Sequence, residues 1–259
     1  MVLSFRDPGP TNEPNVLRFS DCAFHASRFT LHGISMNWIA IAVTFKLALL
    51  TAAVLLIVGL PIAYWLTFSK WRWKFIVESV VALPLVLPPT VLGFYILVAI
   101  GPHSPVGRFY SDVVGHPLPF TFEGLLLASI LYSLPFAVQP FAAAFDQVDR
   151  RLIEASWTLG ASKVKTFFKL IVPLSTAGLI TGAVLSFAHT LGEFGVVLMV
   201  GGNIEGETRT VSIDIYDEVQ ALNYAGAAKT ALLLLVVSYG VLLTVYAMNR
   251  KVWAAWPQR

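Results

Sequence analysis

The stretch DRRLIEASWTLGASKVKTFFKLIVP (149–173) decides how the rest of the chain is read. It lies between two long apolar stretches and is too polar to cross a bilayer itself. Read as a helix, Leu152, Ala155 and Leu159 recur at i, i+3 and i+7 as one apolar stripe. Arg150, Arg151 and Glu154 begin the polar side. Gly160 interrupts, and Ala161-Ser162 caps a second short helix expected to run through Phe168. Pro173 then opens the next apolar helix, at a position helices accept. The pattern predicts helix, glycine turn, helix, lying on a membrane surface. Ala155, Ser156, Gly160, Ala161 and Ser162 are small residues that let another backbone come close. The residues alone leave two readings open: an amphipathic interfacial element, or a knob that docks a partner.

Outward from this segment the chain is strongly apolar. Of its 259 residues 56% are hydrophobic and 13% charged, against about 25% charged in soluble domains. With a mean hydropathy of +0.72, the bilayer is the expected solvent. Lone Cys22 forms no intramolecular disulfide and no Cys-based metal cage. The net charge of +3 is modest and reflects loop topology; no nucleic-acid partner is expected. Residues 1–36 hold scattered Pro, Asp, Glu, Arg and His and no signal-peptide core. They are expected to be a polar N-terminal extension, partly helical near 15–29.

A helical span needs about 20 apolar residues. Five stretches qualify: 38–66, 75–100, 122–145, 171–200 and 227–248. Lys70, Arg72 and Lys74 cluster after the first; Arg150, Arg151, Lys163, Lys165 and Lys169 lie in the opening segment; Arg250, Lys251 and Arg259 end the chain. The positive-inside bias therefore predicts the N-terminus outside and the C-terminus inside, with 147–170 cytoplasmic. The expected organisation is extension 1–36, transmembrane domain 37–250 and tail 251–259. It is an all-α polytopic membrane protein with membrane lipid around it. Internal repeats of the kind that build many secondary transporters are not evident, and five helices make a thin wall, so two copies are expected.

Pro61, Pro84, Pro88, Pro89, Pro135 and Pro140 fall inside these stretches and are expected to kink them. Lys46, Glu78, His189 and Glu193 put charge or polarity at membrane depth, where each needs a reason. Pairing or snorkelling suits Lys46 and Glu78. His189 and Glu193, four apart, are expected to share a helix face. Glu193 is expected to organise a bend between Gly192 and Gly195 through backbone hydrogen bonds. Pro88, Pro89, Gly192, Glu193, Phe194 and Gly195 are the candidate pathway or gate residues. The loop 201–223 is acidic, with Glu205, Glu207, Asp214, Asp217 and Glu218 against Arg209, and gathers anions poorly. It is either a solvated loop or a docking surface.

The spacing Glu154-Ala155-Ser156, Gly160, Pro173 resembles the "EAA" loop of bacterial ABC importer permeases. Ser156, Leu170 and Val172 stand where that pattern has Ala, Ile and Leu. LPLVLPPTVLGFYILV (83–98) and LGEFGVVLMVGGNIEGETRT (191–210) are similar to the permeases of molybdate importers. Phe194 and the GETRT run distinguish them from the sulfate and thiosulfate permeases. The resemblance implies a coupling helix, with Glu154, Ala155, Ser156, Gly160, Ala161 and Ser162 contacting an ATPase. It also implies a homodimer in the bacterial inner membrane, two cytoplasmic ATPase subunits and a periplasmic molybdate-binding protein. ATP and Mg are used by the ATPase; this chain is expected to bind no cofactor and no metal. Tungstate or sulfate is the alternative cargo.

Enzyme readings find little support. No G-x-x-x-x-G-K-[ST] and no H-E-x-x-H occurs, and His25, His32, His103, His116 and His189 are scattered. GASKV (160–164) fails the G-x-S-x-G elbow at its last position. A non-transporting assembly or sensor protein is the different-class alternative. It would not need kinked spans and a coupling-type loop together.

Overall fold

The computed structural model describes residues 36–254, with side chains through Ala247. The expected helix near 15–29 and most of the tail 251–259 lie outside the described residues. Asn37 starts the first helix. Its Oδ1 accepts from Ala40 N–H at 3.1 Å, and its Nδ2 donates to Asp214 Oδ1 at 2.9 Å. Helix α1 (Trp38–Phe68) then runs unbroken through Pro61. So does α5 (Phe122–Asp146) through Pro135 and Pro140. These three prolines do not break their helices; neighbouring helices in a membrane can satisfy the freed carbonyls.

The second apolar stretch is broken. Helix α2 (Lys74–Ala82) ends in a 3₁₀ turn at Leu83–Leu85, and α3 (Pro89–Ile100) restarts at an angle of 114°. The cause is proline density. A residue before proline is pushed out of the helical region, and Pro88 before Pro89 takes φ −55°, ψ 136°. Pro89 then occupies the start of α3, where its missing N–H costs nothing. A short amphipathic helix α4 (Pro105–Val114) follows.

After α5 come α6 (Arg150–Thr158) and α7 (Lys163–Thr166), then a π turn (Phe167–Ile171) and a single turn α8 (Val172–Leu174). The chain bends by 77° at Ser175 and enters α9 (Thr176–Leu191). Pro173 therefore belongs to the surface arm, and the fourth stretch turns into the bundle three residues later than expected. Helix α9 gives way to α10 (Gly195–Gly201), α11 (Val211–Gln220) and the long α12 (Tyr224–Ala254). Among the described residues three helices are long and apolar enough to cross a membrane, or up to five if each bent pair counts as one span. Every described element is helical.

The bundle core is α1, α5 and α9. Phe141 is fully buried, and glycines grip its ring from two sides. A Cβ on Gly182 would stand 2.6 Å from it and one on Gly59 3.2 Å. Small residues let membrane helices approach closely where hydrophobicity alone gives no drive. A second cluster joins Ile96 and Ile100 of α3 to Val196 and Val200 of α10 across Ala128 of α5. Thr44 of α1 accepts from Val211 N–H at 2.8 Å and so pins α11 against it.

Candidate functional site

The surface elbow begins at Asp149, whose Oδ1 accepts from Arg151 N–H at 2.9 Å and caps α6. Gly160 adopts φ +81°, a left-handed conformation that β-carbon residues resist. Ser162 caps the second arm, accepting from Lys165 N–H at 3.3 Å. The second arm is shorter in α geometry than expected, because the π turn takes over at Phe167. Ser156 and Thr166 hydroxyls lie 2.8 Å apart and tie the two arms together. Ser156, the departure from the Ala of the resembling pattern, thus has a structural use.

The arms grip the bundle through Ile153, 4% exposed, and through Phe167, which stands edge-on to Tyr64 at 5.1 Å. The apolar stripe faces away from the bundle. Leu152 is 48% and Leu159 88% exposed, and Val164 and Phe168 are exposed beside them. The helix is rotated so that Ile153, not the stripe, is buried. Glu154, Ala155, Gly160 and Ser162 share this exposed elbow with half-buried Ser156 and Ala161.

The second candidate site lies where the break before α3 meets the break between α9 and α10. A cavity of about 640 Å³ is lined by Pro89, Thr90, Tyr132, His189 and Gly192 through Gly195. Five of the six expected gate residues thus come together; Pro88 caps α3 behind them. Gly195 has no room for a side chain, since a Cβ there would stand 2.7 Å from Pro89 Cβ. Phe194 turns its ring toward Tyr216, with centroids 5.1 Å apart.

Glu193 differs from expectation. Helix α9 ends at Leu191, so Glu193 lies past the helix and does not share its face with His189. Its carboxyl oxygens are buried beside Ser129 and accept no backbone hydrogen bond. Its bend is set instead by Gly192 N–H donating to His189 O at 3.2 Å. His189 belongs to a network that sequence reasoning missed. Ser133 Oγ lies 3.0 Å from both His189 Nδ1 and Thr190 Oγ1, and the imidazole stacks on Phe136 at 3.9 Å. The signal was present in Ser133, a hydroxyl in the middle of a mostly apolar helix. No lysine or arginine lines this cavity. Its wall is mostly apolar, with Thr90, Tyr132, His189 and Glu193 as the polar side chains in it.

The remaining membrane charges find partners. Lys74 and Glu78 are 3.6 Å apart, and Lys46 Nζ lies 4.1 Å from the Phe122 ring centre. In the acidic loop, Arg209 donates to Asn203 Oδ1 at 2.6 Å, and Asn203 donates to Asp217 at 2.6 Å. Among the described residues no cluster of His, Cys, Asp and Glu is placed to hold a metal ion.

Broken apolar helices meeting at a cavity, with a two-armed elbow at the surface, are the architecture of a membrane transport component. Residues 56–253 match the family described as "Binding-protein-dependent transport system inner membrane component". The chain belongs to that family. It is 52% identical over 211 residues to the "Molybdenum transport system permease protein ModB" of Azotobacter vinelandii, covering 82% of this chain and 93% of that one. It is 35% identical over 198 residues to the protein of the same description from Escherichia coli K12, covering 76% and 86%. Among solved structures, a bacterial alginate ABC transporter in complex with its pentasaccharide-bound periplasmic protein superposes with a TM-score of 0.65 at 18% identity. That match covers 92% of this chain and 90% of that one, and it shows the shared fold.

Proposed function

We propose that this chain is the permease subunit of an ATP-driven molybdate importer in the bacterial inner membrane. The substrate rests on the relative from Azotobacter vinelandii, aligned over 93% of its length. The observation that carries the mechanism is the elbow. Leu159, beside the left-handed Gly160, is apolar and 88% exposed on a segment too polar to sit in lipid. Such a surface calls for a protein partner.

In this reading the N-terminus is outside and the elbow is cytoplasmic, since Lys70, Arg72, Lys74 and Arg150 through Lys169 then fall on the inner side. The residues Glu154 through Ser162 seat in an ATPase subunit, and two copies of each assemble. Helix α12 offers a face for the second copy. Leu232, Val236, Tyr239, Leu243 and Tyr246 are all exposed, at the four-and-three spacing of a packing seam. A periplasmic molybdate-binding protein delivers the solute. ATP binding closes the ATPase pair and draws the elbows together. Ile153 and Phe167 pass that motion to α1 and α5, and the paired helix breaks part around the cavity. The chain binds no nucleotide itself; it converts displacement into alternating access.

The test is uptake of labelled molybdate in a strain lacking its own molybdate permease. Uptake that depends on this chain and yields to excess molybdate but not sulfate is expected. Sulfate competing as well as molybdate would overturn the substrate.

A further inference from the structure

A second cavity, unused above, surrounds Lys46. Helix α1 has 31 residues, about 46 Å at about 1.5 Å per residue, against about 30 Å of hydrocarbon. From Lys46 to Phe68 the same rise gives about 33 Å. Lys46 therefore stands one hydrocarbon thickness from the far end of the helix, at headgroup depth. Helix α5 starts at the same level, since the Lys46 ammonium lies 4.1 Å from the ring centre of Phe122, its first residue. The turns of α1 that precede Lys46 project beyond this boundary.

Between those turns, the segment before α5 and the 201–210 loop lies a cavity of about 740 Å³. Its lining includes Trp38, His116, Lys46, Phe122, Glu123 and Glu207. Lys46, Glu123 and Glu207 are all exposed. The ion pairs among the described residues are Lys74–Glu78 and Arg209–Glu205, so none of these three is neutralised by the others. On the membrane side of Lys46, the same α1 face exposes Leu49 and Ile57, a track for acyl chains.

One ammonium and two carboxylates around an aromatic wall complement a zwitterion. A headgroup with net negative charge, or a free oxyanion, meets more repulsion than attraction there. We propose that this cavity seats the headgroup of an amine-bearing zwitterionic phospholipid of the phosphatidylethanolamine type. Lys46 donates to the lipid phosphate, and Glu123 and Glu207 accept from the lipid ammonium. Lysine stems lying on apolar helix surface with the charge at the interface are the usual way such contacts form. This inference needs only the membrane embedding of the chain and stands apart from its cargo.

The test places the assembled transporter in nanodiscs of equal phosphatidylethanolamine and phosphatidylglycerol, then counts retained lipids by native mass spectrometry. The parent retains phosphatidylethanolamine preferentially. Lys46→Ala lowers that retention about fivefold, the effect of one surface cation on lipid phosphate, and Lys46→Arg keeps it. Glu123→Gln with Glu207→Gln shifts the preference toward phosphatidylglycerol. Equal retention of the two lipids by the parent, or retention unchanged in Lys46→Ala, overturns the proposal. So does displacement of the retained lipid by millimolar inorganic phosphate, which would make the cavity an oxyanion site.

Discussion

Replacing Gly195 by alanine tests the meeting of the helix breaks. The new Cβ would stand 2.7 Å from Pro89 Cβ, where ordinary contact begins at 3.4 Å. The two short helices must therefore part by at least about 0.7 Å, the difference between those distances. The proline ring holds its Cβ rigidly, so no side-chain rotation relieves the contact. Overpacking of this kind costs about 1–3 kcal/mol. If the breaks separate when the pathway opens, only the arrangement seen here bears that cost. The substitution then shifts the balance between states by about 5- to 150-fold. The assay is molybdate uptake per ATP hydrolysed in proteoliposomes holding the full transporter and its binding protein. Gly195→Ala is expected to lower uptake and to free ATP hydrolysis from its dependence on the binding protein. Pro89→Gly, which removes the opposing Cβ, should restore coupling in the double variant. Parent-like uptake and coupling in Gly195→Ala would refute the reasoning.

Glu193→Gln should leave assembly and melting intact while slowing transport; transport at the parent rate removes Glu193 from the pathway. Ser156→Ala should cost about 0.5–1.5 kcal/mol by deleting the bridge to Thr166, read as faster amide exchange across 150–166; unchanged exchange would count against the bridge. Gly160→Val should weaken coupling more than Gly160→Asn, because the left-handed backbone, not space, is the constraint: nothing lies within 4 Å of the added Cβ. Burial holds the Asp214 carboxyl above its ordinary range, with Glu218 and Asp217 adding to the effect against the Asn37 hydrogen bond and Arg209. Its contribution to stability is therefore full below the ordinary aspartate range and fades as pH rises through the raised value. Asp214→Asn should remove that fall in a melting series against pH; an identical profile would show that Asp214 does not titrate there.

Much of this was legible in the residues. Hydrophobic length marked the five stretches because crossing a bilayer is a threshold on length and polarity. The elbow was legible because glycine and a capping serine act within a few residues. Proline breaks were legible only in part. Pro61, Pro135 and Pro140 look like Pro88 in a sequence window, yet the helices that hold them run on, while the second stretch breaks where Pro84, Pro88 and Pro89 crowd together. The meeting of Pro89 with Gly195, and the serine network at His189, depend on helices distant in the chain, which periodicity does not report. Which face of α6 turns inward was left open for a related reason. A stripe packed against a partner and one packed against the bundle have the same spacing.

The central claim is that the elbow transmits force from an ATPase. Ser162→Cys, in a background where Cys22→Ser removes the native thiol, gives one reactive site on the elbow. Bifunctional thiol crosslinking in native membranes should capture an ATPase subunit, with a yield that changes when ATP is added. Leu232→Cys, on the exposed face of α12, should capture none. If Ser162→Cys captures no ATPase while the intact transporter still copurifies, the elbow does not couple and the account fails.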